Sequence, residues 1–329
     1  MTAANKIAAM RYQNRSIRLF FVTLLLAASS FSTFAQGARV LRDVPYGGDA
    51  RQRFDVYLPA RPAGPVILLV HGGGANSAWW DHVAPFGAGT HRIVALDMSG
   101  HGDSGRRDSY RTQTWAKEAM AAARAGGIEG KPFVVGHSMG GWVTSQIAVD
   151  FGDELAGIII VDSPLNDVPP EVGSMAKRAQ SEQKRNGPRK STLEEIVARF
   201  RPQPAQDVVL PYVGRNIAEQ SVREVDGTWV WKFDRGIFSP NEHGFKLRDR
   251  LPEMKVRTAY VRCEHGLIPD DMAADINELL DHRVPMVELP DSGHHPMLDR
   301  PLTLIAAIRA TIGAWEVYDR IEATGRAGM

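Results

Sequence analysis

Six short runs of aliphatic residues constrain this chain more than any other feature. They read "VILLV" (66–70), "RIVAL" (92–96), "FVV" (133–135), "GIIIV" (157–161), "RTAYV" (257–261) and "VPMVEL" (284–289). Nearly continuous Val- and Ile-rich runs suit strands covered on both faces, because a strand with one wet face alternates instead. "RFDVYL" (53–58) does alternate and reads as a half-exposed strand. Helix-like stretches lie between the runs, around 110–126, 139–151, 270–281 and 301–319. In the second of these Val143, Ile147 and Phe151 recur on one helix face, and Gly152 closes it. Strands alternating with helices predict an α/β fold, with helices flanking a mostly parallel central sheet.

The alternation stops between about Pro164 and Gly244. Prolines crowd this stretch, which also holds the amphipathic segment "TLEEIVARF" (192–200) and an aromatic patch, "TWVWKFD" (228–234). It reads as a mainly helical cap, residues 164–244, inserted into a core made of 36–163 and 245–329. Ligands bind at the carboxyl edge of open α/β sheets, so a cap over that edge would enclose the site. The aromatic patch would then face inward.

Residues 1–35 follow different rules. Lys6, Arg11, Arg15 and Arg18 precede the apolar run Leu19 to Phe31, and no acid occurs among them. Small Thr33 and Ala35 then stand at the −3 and −1 positions of a cut before Gln36. That is the layout of a cleaved secretory signal, and the run falls short of the ~20 residues that span a bilayer. The expectation is an exported protein, periplasmic or secreted, with no stable membrane insertion afterwards. Losing the leader takes Lys and Arg from 39 to 35 against 38 acids, a formal net charge of −3. Nucleic-acid binding would need a concentrated basic surface, and the basic stretch 177–190 reads as a solvated helix face and loop. The single cysteine, Cys263, excludes an intrachain disulfide and reads as a small buried hydrophobe.

"VVGHSMGGW" (134–142) places Gly-x-Ser-x-Gly between a buried strand and a helix, the pattern of a nucleophile elbow. Gly136 and Gly140 leave room for a tight bend that exposes the Ser138 hydroxyl at a helix N-terminus. A serine hydroxyl needs a base, and the base an orienting acid. In the loop after the last strand, "LPDSGHHPMLDRP" (289–301) offers His294 directly after a glycine, with His295 as its neighbour. Two backbone N–H groups should receive the oxyanion. Met139 follows Ser138 and supplies one, and Gly73 of "HGGG" (71–74) supplies the other. Gly74, Trp79, Trp80 and Trp142 lie beside these loops. With His295, the residues Gly74, Trp79 and Trp142 are candidates for the substrate pocket.

"LLVHGGG…WWDHVAPF", "VALDMSGHGDSG", "VVGHSMGGW" and "SGHHPMLDRP", in that order, resemble the α/β-hydrolase superfamily. The likeness runs over roughly residues 40 to 320 and is weak in the cap. It is strongest to the lidded branch of esterases, carbon–carbon bond hydrolases, haloperoxidase-like proteins and dehalogenase relatives. Within "DMSGHGDSG" (97–105) the resemblance gives His101 and Asp103 a part in loop hydrogen bonding, not in chemistry. Many members carry the acid after the penultimate strand, but here "VRCEHGLIPDD" puts Gly266 or Leu267 in that slot. The haloalkane-dehalogenase branch carries it one strand earlier, where this chain has Asp162 in "GIIIVDSP". Asp162 is therefore the candidate acid, with Glu264 as the alternative and Asp270 or Asp271 behind it. That branch uses an aspartate as nucleophile, whereas this chain has Ser138.

The resemblance implies hydrolysis of a small-molecule ester or related acyl compound through a Ser-His-Asp triad, with no metal or organic cofactor. Other readings are a carbon–carbon bond hydrolase, a cofactor-free haloperoxidase or perhydrolase, and a ligand-binding receptor on the same fold. A carbon–carbon bond hydrolase would need a cap cation for its acidic substrate, for which Arg199, Arg201 and Lys232 are available.

Overall fold

The computed structural model describes residues 39–46, 52–59, 64–127, 130–165, 191–238 and 247–326. Residues 1–35, expected to be a secretory leader, the basic stretch 177–190 and parts of the segment 164–244 lie outside these. Eight strands form the central sheet: β1 (Arg39–Pro45), β2 (Arg53–Leu58), β3 (Ile67–Val70), β4 (Ile93–Leu96), β5 (Phe133–His137), β6 (Gly157–Val161), and two that follow the cap. The cap carries a separate hairpin, β7 (Val222–Val225) and β8 (Thr228–Trp231). The core then resumes with β9 (Thr258–His265) and β10 (Met286–Gly293), giving the order β1-β2-β4-β3-β5-β6-β9-β10. From β4 to β10 neighbouring strands are parallel, while β1 and β2 form an antiparallel edge.

The continuous aliphatic runs have a direct physical reason. Leu68, Val94, Val134, Ile158 and Ile160 fall in one buried cluster, and Ile67, Leu69, Ile93, Val135 and Ile159 in the other. Successive side chains of a strand point to opposite faces, so a sheet covered on both sides must be apolar at every step. One face is covered by α1 (Thr112–Ala125) and α2 (Met139–Phe151). Trp115, Met120, Val143 and Ile147 of these helices are buried there. On the opposite face Leu304, Ile305, Ile308 and Ile312 of the C-terminal helix Pro301–Arg326 complete the core. Phe151 packs at the edge of the first cluster, and Gly152 stands at the C-cap of α2.

The insertion follows β6. In its described part are α3 (Leu193–Val197) and α4 (Pro211–Gln220), an extended loop between them, and the β7–β8 hairpin. A capping box between Thr192 and Glu195 starts α3. The hairpin departs from the mainly helical expectation. "TWVW" is half-buried along its whole length, so its β-branched and aromatic residues pair as a strand instead of forming one helical face. β1 also has no counterpart in the expected strands, because it is an exposed edge strand without a buried run. Among the described residues no helix is long and apolar enough to cross a membrane.

Candidate active site

Ser138 stands between β5 and α2 with φ 55° and ψ −122°, a backbone conformation that a side-chain-bearing residue rarely adopts. The flanking glycines make the bend possible. A Cβ on Gly136 would collide with the Gly140 carbonyl and the Thr144 hydroxyl, and one on Gly140 would run into the carbonyls of Val70 and His71. The bend leaves Ser138 half-buried at the carboxyl end of β5, while its neighbour His137 is buried.

His294 comes from the end of β10 and Asp162 from the end of β6. His294 Nε2 lies 2.9 Å from Ser138 Oγ, and His294 Nδ1 lies 2.7 Å from Asp162 Oδ2. A carboxylate can only accept, so Nδ1–H donates to it, and Nε2 is left to accept from the serine hydroxyl. Asp162 is fully buried. Its Oδ1 accepts from the Cys263 N–H at 3.0 Å and its Oδ2 from the Leu267 N–H at 2.9 Å. Gly266 has the matching role, because a Cβ there would fall on the Asp162 carboxylate. The slot that lacks an acid in the sequence is thus the space into which Asp162 projects.

The alternative acids are elsewhere. Glu264 is exposed and accepts the Asp291 N–H at 2.8 Å. Asp270 is exposed and pairs with Arg262, and Asp271 accepts the Met272 N–H. Cys263 is buried, and burial pushes its thiol well up, so it stays protonated.

Gly73 lies against the first residue of α2. A Cβ built on it would be 3.8 Å from Met139 Cβ and 3.1 Å from the Phe238 ring. The Met139 N–H heads a helix, where the first amides lack intrahelical partners. The loop that carries Gly73 is braced from below. His71 Nδ1–H donates to the Gly72 carbonyl at 2.8 Å, and His71 Nε2 accepts the Met98 N–H at 3.2 Å. Burial lowers His71 to about 4, so it stays neutral in this role. The buried Asp97 carboxylate accepts the Ser77 N–H at 2.7 Å and the Asp103 N–H at 2.8 Å. Burial raises Asp97 to about 7. Asp103 reaches the cap through an ion pair with Lys232 at 2.6 Å, which engages that cation away from the cavity. His101 is buried, and its Nδ1 is 3.2 Å from the Ser99 carbonyl.

A cavity of about 400 Å³ opens above Gly73 and Gly74, between core and cap. Trp79 forms one wall, and the cap adds Phe200, Trp231, Phe233 and Phe238. Two of the expected pocket residues do not line it. Trp142 is turned into the core, where its indole N–H donates to the Pro164 carbonyl. His295 is buried behind Trp79, with ring centroids 5.3 Å apart. There its Nε2–H donates to the Gln203 carbonyl at 3.1 Å and its main-chain N–H to Gln206. Phe200 ends the amphipathic segment 192–200 and Phe238 a single 3-10 turn, Arg235–Phe238, too short to show a period in the sequence.

Ring nitrogens of His137, His294 and His295 lie within 4.8 Å of one another, a spacing that suits a metal ion. Both His294 nitrogens are engaged by Ser138 and Asp162, so an ion there would have to break one of those contacts. Burial, and then the neighbouring His294, hold His137 and His295 well below the usual histidine range.

Residues 67–308 match the sequence profile of the alpha/beta hydrolase family. The chain belongs to that family of hydrolytic enzymes. An esterase of Mycobacterium tuberculosis is 26% identical over 255 residues, covering 75% of this chain and 83% of the relative. A pimeloyl-[acyl-carrier protein] methyl ester esterase of Aeromonas salmonicida is 26% identical over 265 residues, covering 76% and 96%. The crystal structure of E-2-(acetamidomethylene)succinate hydrolase shares the fold with a TM-score of 0.67 at 20% identity, over 84% of this chain and all of that one.

Proposed function

We propose that this protein is an exported serine hydrolase of carboxylic esters that works through an acyl-enzyme. The observation that carries the reading is the unbroken hydrogen-bond chain from Ser138 Oγ through His294 to the buried Asp162. Ser138 Oγ attacks the ester carbonyl while His294 Nε2 takes its proton. The carbonyl oxygen, now negative, accepts from the N–H groups of Gly73 and Met139. His294 then protonates the departing alkoxide, leaving an acylated serine. Water, deprotonated by the same nitrogen, attacks the acyl carbon, and the proton returns to Ser138 as the acid leaves. Asp162 keeps the imidazole in the tautomer that can accept from Ser138 and steadies the imidazolium between steps. Each backbone donor in such a site lowers the barrier by about 3 kcal/mol.

The two esterase relatives support ester chemistry, and the charge and hydropathy pattern of residues 1–35 supports export. Purified protein should hydrolyse p-nitrophenyl butyrate, with burst kinetics if deacylation is slow, and Ser138→Ala should remove the activity. A fluorophosphonate should label Ser138 and no other serine. Absence of both turnover and labelling refutes the mechanism. Cell fractionation after expression from the full gene tests export, and protein found only in the cytoplasm at full length refutes it.

A further inference from the structure

The cavity above Gly73 is bordered by three guanidinium groups, Arg199, Arg201 and Arg235, and among the described residues no carboxylate lines it. The composition does not account for this, since Lys and Arg (39) nearly match Asp and Glu (38) over the whole chain. Arg199 donates to Ser191 Oγ at 2.7 Å, and Arg201 to the carbonyls of Ala198 and Phe200 at 3.1 and 2.6 Å. These acceptors are neutral. They orient the two guanidinium groups but leave their charge in place. Of the carboxylates on the adjoining loop and hairpin, Asp103 is paired with Lys232 and Asp234 lies 4.0 Å from Arg106 Nε, while also accepting from the Tyr110 hydroxyl and the Gly236 N–H. Arg199 and Arg201, held beside aromatic walls on neutral acceptors, make a local field that draws and orients anions.

We propose that this cavity selects esters bearing a carboxylate or similar anion, with Arg199 and Arg201 as the specificity-determining pair. The inference rests on the ester-hydrolase reading of the same site. The anion can sit on either side of the scissile bond, so two matched pairs of substrates are compared. Mono-p-nitrophenyl glutarate against p-nitrophenyl valerate places it on the acyl side. 4-Acetoxybenzoate against its methyl ester places it on the alcohol side.

At low ionic strength the anionic member of at least one pair should have the higher kcat/KM, by about tenfold, as two partly exposed ion pairs of ordinary strength imply. The difference should lie mainly in KM and shrink in 0.5 M NaCl, as screening requires. The double variant Arg199→Gln/Arg201→Gln should bring the anionic-to-neutral ratio close to one. Arg199→Lys/Arg201→Lys should keep part of it, because the charge remains. Equal or better turnover of the neutral member in both pairs overturns the inference and leaves ester hydrolysis standing. So does a ratio that the Gln variants leave unchanged. If no ester of either charge is hydrolysed beyond the rate of Ser138→Ala, the ester reading fails, and this one with it.

Discussion

Replacing Gly266 by alanine should disable the site without altering any of its three linked side chains. The new Cβ would lie 2.3 Å from Asp162 Oδ2 and 2.6 Å from its Cγ, whereas ordinary contacts begin at 3.4 Å. The carboxylate or the loop after β9 must therefore shift by about 1.1 Å, and Asp162 has little freedom, since two main-chain N–H groups and His294 hold it. A misplacement of about 1 Å in a catalytic array can cost on the order of 10²-fold in rate. Complete loss of the orienting acid costs about 10⁴-fold. The expected fall in kcat for Gly266→Ala lies between those limits, with KM little changed. The assay is p-nitrophenyl butyrate hydrolysis, with thermal unfolding as the control for folding. A folded variant whose kcat stays within about threefold of wild type would refute the argument, because it would mean that Asp162 does not orient the imidazole during turnover.

Other predictions follow from the same geometry. Asp162→Asn should lower kcat by about 10⁴-fold, while Glu264→Gln, an exposed group bonded only to the Asp291 amide, should stay within about twofold, as surface changes do. The reverse pattern would move the acid to β9. Below pH 6.5 the protein should lose stability. His71, lowered by burial to about 4, is stabilising above its unfolded value of 6.5 and loses that contribution as pH falls towards 4, roughly 3 kcal/mol in all. His137 and His295 act in the same direction. Asp97, raised by burial to about 7, acts oppositely, since its contribution is full below 3.8 and fades as pH rises through 7. Urea midpoints measured from pH 7 to 4.5 should therefore fall, and more steeply in Asp97→Asn; midpoints that rise on acidification would contradict both. Lys232→Ala should cut one partly buried tie between cap and core, raising KM a few-fold with kcat nearly unchanged, and an unaltered KM would show that the tie does not hold the cap in place.

Legibility in the sequence followed burial. The strands β3 to β6 could be read because both faces are covered, which forces an apolar residue at nearly every position. β1 and the cap hairpin are half-wet or exposed, and their short patterns have no distinctive period. At the site, Gly-x-Ser-x-Gly and the glycine before His294 mark backbone constraints, and such constraints leave a local trace. Asp162 is reached only through the resemblance to the branch that carries its acid one strand earlier, because its partner in space is a glycine more than a hundred residues away. The turn of Trp142 into the core and the burial of His295 behind Trp79 depend on Pro164 and on a cap loop, which no local pattern connects to them.

The Asp97 carboxylate joins two parts of the molecule that serve different ends. One oxygen holds the amide of Ser77, just beyond Gly73 and Gly74, and the other holds the amide of Asp103, from which the hairpin is tethered. Floor and roof of the chamber thus share one buried fastening, beside other contacts such as Asn76 to Ser221. Because roof and floor bond different oxygens, selection for a new substrate in the cap will act first on affinity and leave the rate of the chemical step largely in place.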